Sequence, residues 1–521
     1  MDKHKCFLLG TLTLLCASAA YSQSDSAPQV VRSTGIKGGL VVHVGCSNGA
    51  FTADLRVNDR YIVQGLDMDA ANVRKARQHI RSLGIYGEVT ADTFDGKHLP
   101  YAENLINLLI VEDSVNLAVG EIMRVLAPLG VVLTKKGDHW RKRTKPWPAD
   151  IDEWTHFLHG PDNNAVAEDT RVLPPRHTQW VAGPRWGRSH DHMSGLSAAV
   201  SSAGRLFYII DEGSIASVKA PSKWMLVARD AFSGVLLWKK EISPWENQLR
   251  PFRSGPAELP RRLVAVGERV YVTLGYGKPV TALDAATGEV LRTYEGTENT
   301  HEIVVDGGHL YLVISAPLKE ESPTTGKVLR SFPVWRGSYL EYVTQYMPKH
   351  VRVVNAESGK LVWKKDDSEV TGILPLTLIV NDGQVFFQNE NRLIALKGQS
   401  GDVLWRAERP AVRHRYAWLT PTLVVKDGVV LSADRSADLP VDTGNPDMAQ
   451  TEWRVSANHI LEPGDIMAFS AKTGKKLWTA PTHEGFNAPA DVFVIDGKVW
   501  SGVLAWGKQP GITDVYDLHT G

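Results

Sequence analysis

The sequence predicts two architectures in one chain. A small α/β unit with a parallel sheet comes first, and an all-β array of short repeated sheets follows it. Three observations predict this. Between residues 40 and 134, short apolar runs alternate with amphipathic helical patterns. From residue 198 onward, an apolar strand, a turn ending in Gly and a second apolar strand recur as a unit, six times in all. The length, 521 residues, is too great for a single core, so two or three domains are expected.

The first 22 residues read as an export signal. Asp2-Lys3-His4-Lys5 is a polar, net basic start, Cys6–Cys16 is an apolar run, and Ala17-Ser18-Ala19-Ala20-Tyr21-Ser22 offers small residues for cleavage. The apolar run is too short to span a bilayer, and no later segment is apolar enough to cross one, so an exported periplasmic or envelope protein that does not span the membrane is expected. Residues 23 to about 34 are expected to be a flexible leader. Lys+Arg and Asp+Glu both number 58, which leaves no overall charge to attract nucleic acid. The basic run from Lys135 to Lys145 reads as a solvated face between domains. After cleavage only Cys46 would remain, so no intrachain disulfide and no Cys-x-x-Cys site is expected.

The α/β unit is placed at residues 35–140. Leu40–Val44 is its first strand, followed by the bend Gly45-Cys46-Ser47-Asn48-Gly49 and a short helix with Phe51 and Leu55 inward. Tyr61–Leu66 is the second strand, ending at Asp67 and Asp69. Ala70–Leu83 is helical, with Val73, Ala76 and Ile80 on one face. Tyr86–Thr90 is a third strand, ending at Asp92, and Leu105–Val111 a fourth. Val115–Leu126 is a helix, Pro128-Leu129-Gly130 a turn, and Val131–Thr134 a fifth strand. No further hairpin is evident, so the sheet is expected to stop there. A strand, a Gly-rich bend and a helix in this order make a nucleotide pocket at the carboxyl edge of a parallel sheet. Asp67 stands 22 residues after Gly45 at a strand tip, where a carboxylate can accept ribose hydroxyls.

Val44-Gly45-Cys46-Ser47-Asn48-Gly49, Gly65-Leu66-Asp67-Met68-Asp69, Ala91-Asp92 and Glu121–Gly130 resemble the corresponding motifs of class I S-adenosylmethionine-dependent methyltransferases. The resemblance implies a Rossmann-like fold and S-adenosylmethionine as cofactor. It implies Gly45, Ser47 and Gly49 around the methionine moiety, Asp67 on the ribose and Asp92 on the adenine amino group. The family usually has Gly where Ser47 stands and an acidic residue where His43 stands. Asp113, after the fourth strand, is placed to face a methyl acceptor. The bend also satisfies Gly-x-Ser-x-Gly, in which Ser47 would be a hydrolase nucleophile; that reading needs an acid and a His on later strands of the same sheet.

Residues 141–197 are a Trp-rich connector. His156 and His159, three apart, would share a helix face, and Ser189-His190-Asp191-His192 adds two imidazoles, so the segment admits two readings, a metal site and polar capping. The preferred reading takes the Trp residues as packing one domain onto the other, with no metal. Residues 198–521 carry the repeats. Asp-Gly turns at Asp382-Gly383, Asp427-Gly428 and Asp496-Gly497 are strong hairpin signals. A Ser/Thr-Gly turn follows in each unit, and a fourth strand often ends in Trp: Trp238, Trp363, Trp405 and Trp478. A four-stranded blade cannot bury both faces alone, so the units must stack into a β-propeller with each Trp against the next blade. Six blades are recognisable, the last incomplete at Thr520-Gly521. Ala282–Leu291 resembles the quinoprotein-like (pyrroloquinoline quinone repeat) propellers. That family includes quinone-dependent dehydrogenases, which hold the quinone against a vicinal Cys-Cys pair, and non-enzymatic outer-membrane assembly proteins. No cysteine lies beyond Cys46, which speaks against pyrroloquinoline quinone. The expectation is an exported methyltransferase-like protein whose propeller binds a protein or ligand. The alternatives are a non-catalytic envelope scaffold and a quinone oxidoreductase.

Overall fold

The computed structural model describes residues 26–521 except 172–173, 175–177, 185, 189–194, 218–219, 246–256, 317–347, 412–419, 436–461, 485–490 and 504–510. The segment read as an export signal and the Ser189–His192 cluster therefore lie outside the described residues. The chain forms two compact units, residues 1–148 and 149–521.

The first unit opens with a helix where the sequence pattern predicts a flexible leader. α1 (Ala27–Thr34) has a capping box between Ser26 and Gln29, Pro28 in its first turn and Gly35 at its C-cap. It orders because Ala27, Val30 and Val31 are buried against the sheet. Next come β1 (Gly39–Val44), α2 (Ala50–Asp54), β2 (Tyr61–Asp67), α3 (Ala70–Ser82), β3 (Val89–Thr93), β4 (Ile106–Val111), α4 (Val119–Val125), β5 (Leu126–Lys136) and β6 (His139–Thr144). The sheet order is β3-β2-β1-β4-β5-β6. β1 to β5 run parallel and β6 antiparallel to β5. β4, covered on both faces, is buried at every position, as expected of a central parallel strand. One face packs on α1 and α3 through Val41, Val63, Val73 and Ile80, and the other on α4 through Val42, Val44, Ile122 and Val125.

Three expectations are corrected here. β3 starts three residues later than the apolar pattern indicates: Gly87 adopts φ 127° and Arg81 lies over the Tyr86 ring at 4.7 Å, so residues 86–88 turn. Pro128-Leu129-Gly130 is an irregularity inside β5. Leu129 has φ 63°, and a Cβ on Gly130 would stand 2.7 Å from the Ala127 carbonyl oxygen. The sheet does not stop at β5, because the basic run builds β6. Lys142 Nζ donates to the Thr34 carbonyl at 2.7 Å, and Lys145 Nζ donates to the Met123 and Leu126 carbonyls at 2.7 Å. These lysines occupy helix-end carbonyls, where a cation is favoured, while Lys136, Arg141, Lys142 and Arg143 are exposed to solvent.

Among the described residues, the second unit contains five four-stranded antiparallel sheets and a sixth of three strands. Their first strands are Leu196–Ser202, Leu263–Val266, Thr300–Asp306, Ile379–Asn381, Thr422–Lys426 and Asp491–Ile495. The Asp-Gly turns have positive φ at both residues: 48° and 70° at Asp382-Gly383, 47° and 77° at Asp427-Gly428. That is the geometry of a type I′ hairpin.

Each recurrent Trp sits under the turn of the following blade. The Trp238 indole N–H donates to the Ala285 carbonyl, Trp363 to Gly398, Trp405 to Ala471 and Trp478 to Leu518, all at 2.7–2.9 Å. The glycine closing the turn lies flat on the ring. A Cβ on Gly401 would stand 2.8 Å from Trp363, and one on Gly474 2.5 Å from Trp405. At the third blade Arg292 replaces Trp, against Gly359. Trp180 of the connector does the same for the first blade, with its N–H on the Ala231 carbonyl at 3.0 Å.

The rest of the connector corrects a further expectation. Residues 154–164 belong to the second unit and lie along the first strands of all six sheets. Ser201 N–H donates to the Trp154 carbonyl, and Ala265 N–H to that of Thr155. Val305 N–H donates to His156 Nε2 at 3.0 Å. Val380 and Val425 N–H groups donate to the Pro161 and Asp162 carbonyls at 3.0 Å. Val494 exchanges two hydrogen bonds with the Asn164 side chain, at 2.9 and 3.0 Å. Every donor is the next-to-last residue of its strand. One segment thus supplies an acceptor to each blade, at an edge whose N–H groups would otherwise be unsatisfied.

Candidate functional site

The tips of β1, β2, β3 and β4 gather the residues singled out from the sequence. Gly45 has φ 90°, Ser47 φ 51° and Gly49 φ 81°, so the bend needs the left-handed region at each. Glycine enters it freely, and Ser47 does so at a cost of about 1 kcal/mol. A Cβ on Gly49 would stand 2.7 Å from Ala76 Cα, so that glycine also lets α3 pack against the bend. Gly45 and Cys46 N–H groups both donate to the Leu66 carbonyl, at 2.8 and 3.1 Å. This ties the bend to the end of β2.

Asp67 faces the bend and is nearly buried, at 9% exposure. Its Oδ2 accepts the Ser47 N–H at 2.9 Å. Its Oδ1 accepts the Asp69 N–H at 2.9 Å and the Asn72 side-chain N–H at 3.3 Å. A carboxylate has about four acceptor positions, so one remains on Oδ2. Asp69 caps α3 by accepting the Ala71 N–H at 2.7 Å. Asp92 is half exposed; its Oδ1 accepts from Arg77 at 3.0 Å and from the Thr93 N–H at 2.8 Å. Asp113 is exposed, and its Oδ2 accepts the Gly137 N–H of the β5–β6 turn at 3.3 Å. The structure thus brings the bend and Asp67 into direct contact. Asp92 sits two strands away, paired to α3, and Asp113 is held by the β5–β6 turn.

Sequence reasoning missed Glu112. It follows β4 directly, and a Cβ on Gly45 would stand 2.9 Å from Glu112 Cβ. Its carboxylate lies 3.4 Å from His43 Nε2 and 3.0 Å from Lys135 Nζ. Burial pushes the Glu112 carboxyl up, but hydrogen bonds from His43 and Lys135 outweigh this and hold it below the usual range. The signal was present in Glu112-Asp113: the residue adjoining a buried strand faces the neighbouring strand tip, and the next one points away. His43 is buried and shares a hydrogen bond with Thr52 Oγ1 at 2.8 Å through Nδ1.

Ser47 meets its neighbours through its N–H, and the nearby His43 is engaged with Thr52 and Glu112. The nucleophile reading therefore finds no base at the bend among the described residues. Burial, with Asp67 nearby, pushes the Cys46 thiol up to about 12, so it stays protonated and unreactive. His156 and His159 do not share a helix face. Their backbones pair across a tight turn, each N–H on the other's carbonyl at 3.1 Å, and His159 has φ 70°. His159 Nε2 bonds Asp152 at 2.7 Å, whereas His156 is buried and accepts from Val305.

Residues 42–134 match the family model of the methyltransferase domain. Residues 332–488 match that of the outer membrane protein assembly factor BamB. The chain joins a methyltransferase-type domain to a BamB-like repeat propeller. Over 213 residues, 36% of this chain, it is 28% identical to the outer membrane protein assembly factor BamB of Yersinia pestis. It spans about half, 53%, of the length of that relative. Among solved structures, BamB from Moraxella catarrhalis is similar over 61% of this chain and 81% of its own, at 12% identity and TM-score 0.31. A putative S-adenosyl-L-methionine-dependent methyltransferase from Methanococcus maripaludis is similar over 22% of this chain and 54% of its own, at 20% identity and TM-score 0.20. Among the described residues of the BamB-like propeller and the methyltransferase-type domain, no helix is long and apolar enough to cross a membrane.

Proposed function

We infer that the α/β unit binds S-adenosylmethionine at the tips of β1, β2 and β3 and serves a methyl transfer in the cell envelope. The propeller would hold the methyl acceptor or a protein partner. The observation that carries this reading is Asp67: a nearly buried carboxylate, fixed against a glycine bend by the Ser47 N–H, with an acceptor position left over. A ribose hydroxyl can fill that position, and the long Asn72 contact at 3.3 Å is the one most readily given up for a second. Gly45 and Gly49 let a ligand approach the backbone. Asp92 keeps Oδ2 for the adenine amino group while Arg77 holds Oδ1.

When bound, the sulfonium cofactor supplies an already activated methyl group. The protein's part is then to align donor and acceptor and to keep water out. A base is needed only for a weakly acidic acceptor, and Asp113, exposed beside the β5–β6 turn, stands as the candidate for it. Export is supported by the basic and apolar pattern of residues 2–22. A partner in the envelope is supported by the match to an outer-membrane assembly factor.

One observation favours a second reading, a propeller scaffold with a ligand-free α/β unit. Asp67 already holds three N–H donors from its own chain. Isothermal titration of the full chain with S-adenosylmethionine separates the two. Micromolar binding supports the enzyme, and no heat up to millimolar ligand supports the scaffold.

A further inference from the structure

The propeller unit holds a serine, a histidine and a carboxylate in line. Ser315 ends the second strand of the third blade, His309–Ser315, and His301 is the second residue of its first strand, Thr300–Asp306. The pairing register skips His301: Thr300 faces Ile314 and Glu302 faces Val313. Such an irregularity re-aims a side chain, and here it sets His301 Nε2 2.8 Å from Ser315 Oγ. Glu258 precedes the short helical turn Leu259–Arg262 and brings Oε1 to 3.5 Å from His301 Nδ1. All three residues are buried. Burial pushes the Glu258 carboxyl up, but the His301 contact and the Lys349 charge outweigh this and hold it below the usual range. An ionised Glu258 can only accept, so His301 Nδ1 carries the proton and Nε2 is left to accept the Ser315 hydroxyl. Burial also holds the His301 pKa down, so the ring stays neutral. The Ala316 carbonyl, 2.9 Å from Ser315 Oγ, is the hydroxyl's other acceptor.

A polar network that only closes the fold has no need of an opening. This one borders an open cavity of about 500 Å³, lined by Ser315 together with Asn299, Lys349, His350 and Thr371. Lys349 is buried, and of its three N–H donors one goes to the Ile373 carbonyl at 3.1 Å. Its charge is close enough to act on both Glu258 and His301. A nucleophile, a base, an orienting carboxylate and a cation are thus gathered at one polar cavity. We propose that Ser315, His301 and Glu258 form a hydrolytic centre in the propeller, which cleaves a small polar carboxylic ester entering from this cavity. Ser315 Oγ bonds to the ester carbonyl carbon while His301 Nε2 takes its proton, and Lys349 offsets the negative charge that develops on the carbonyl oxygen. The C–O bond to the alcohol then breaks, and Nε2 returns the proton to the departing alkoxide. Water attacks the acyl-serine and gives its proton to Nε2. The acyl–Oγ bond breaks and the proton goes back to Oγ, leaving an acid and an alcohol. Glu258 is a positioning residue, which holds the ring with Nε2 toward the hydroxyl. The centre lies within the propeller unit and does not depend on the adenosyl reading.

The test treats the full chain with an alkyl fluorophosphonate, which phosphonylates activated serines, and maps the labelled peptide by mass spectrometry. Hydrolysis of 4-nitrophenyl acetate is followed in parallel. The label is expected on Ser315, with hydrolysis above the buffer rate, and Ser315→Ala should lose both. His301→Gln is expected to slow labelling and hydrolysis by roughly a hundredfold or more. Glu258→Gln should lower kcat by roughly tenfold or more with KM little changed, and Glu258→Asp should recover part of that loss, a pattern that a purely structural carboxylate would not give. No label on Ser315 in the parent would overturn the proposal. So would hydrolysis that survives Ser315→Ala, or labelling that is unchanged in His301→Gln. Urea unfolding of each variant beside the parent separates lost chemistry from lost fold, and where a variant does not fold, the position of the label in the parent decides.

Discussion

The strand ends of the two units pose the same problem and answer it differently. In the propeller, six first strands present an N–H at the same position. Residues 154–164 of the chain itself supply the six acceptors, from the Trp154 carbonyl to the Asn164 amide. In the α/β unit, the strand tips carry Asp67, Asp92 and Glu112, and each keeps acceptor capacity after its contacts within the chain. The first arrangement is closed and serves stability. The second is partly open and suits a ligand. The density of His, Asp, Asn and Trp in residues 150–164 is thus a poor guide to chemistry. Those polar side chains are consumed by the fold, while the sparser set at the sheet edge is not.

The largest effect should come from Asp67. Asp67→Ala removes an acceptor for the ligand and the cap on the Ser47 N–H. It is expected to lower adenosyl-ligand affinity by about a hundredfold, since hydrogen bonds to charged groups contribute ~1.5–3 kcal/mol each. Titration calorimetry reads this directly, and an unchanged affinity would erase the distinction between the two regions. Asn164→Leu probes the closed side. It leaves the buried Val494 N–H and carbonyl without partners, and should destabilise the propeller by ~2–4 kcal/mol in urea unfolding. A loss below half a kcal/mol would mean that the segment is not holding the blades.

The Trp–Gly contacts give a paired comparison inside the propeller. Gly401 and Gly428 both have positive φ, 76° and 77°. A Cβ on the first would meet Trp363 at 2.8 Å, whereas the second has nothing within 4 Å. Gly401→Ala should therefore cost ~2 kcal/mol more than Gly428→Ala, the excess being the steric term. The smallest effect concerns pH. Burial, with Arg261 and His159 nearby, depresses the His156 pKa from 6.5 to about 3. Its Nε2 must stay unprotonated to accept the Val305 N–H, and Nδ1 meets Thr155 Oγ1 at 2.8 Å. The unfolded chain takes up a proton below pH 6.5 and the folded chain does not, so stability falls as pH falls through that window. The loss should be ~1 kcal/mol between pH 6.5 and about 5.5. His156→Gln keeps an acceptor and should remove that part of the slope.

Much of this was legible in the sequence. Continuous apolar runs located β1, β2, β4 and the paired strands of each blade, and a period-3.6 pattern located α3, because burial leaves its imprint on the sequence. Asp382-Gly383 and its counterparts announced hairpins because few residue pairs accept two positive φ values. The turn glycines and the Trp residues pointed to blade-on-blade docking. What escaped detection depended on long-range partners. α1 is too short to stand alone and forms only where Val30 and Val31 find the sheet. β6 is mostly charged and is a strand because β5 pairs with it and because Lys142 and Lys145 reach helix ends. Residues 154–164 have no periodicity, since each one answers a different blade. At the site, the Gly45 bend and Asp67 stood out by spacing. Glu112 did not, because its role depends on which neighbour each strand tip faces.

Amide hydrogen exchange of the full chain, with and without millimolar S-adenosylmethionine, tests the contrast most directly. The account predicts that ligand slows exchange at residues 45–49 and 67–69. It also predicts that Ser201, Ala265, Val305, Val380, Val425 and Val494 are protected beforehand and do not change. No protection at the bend, or ligand-induced protection along the first strands of the blades, would contradict it.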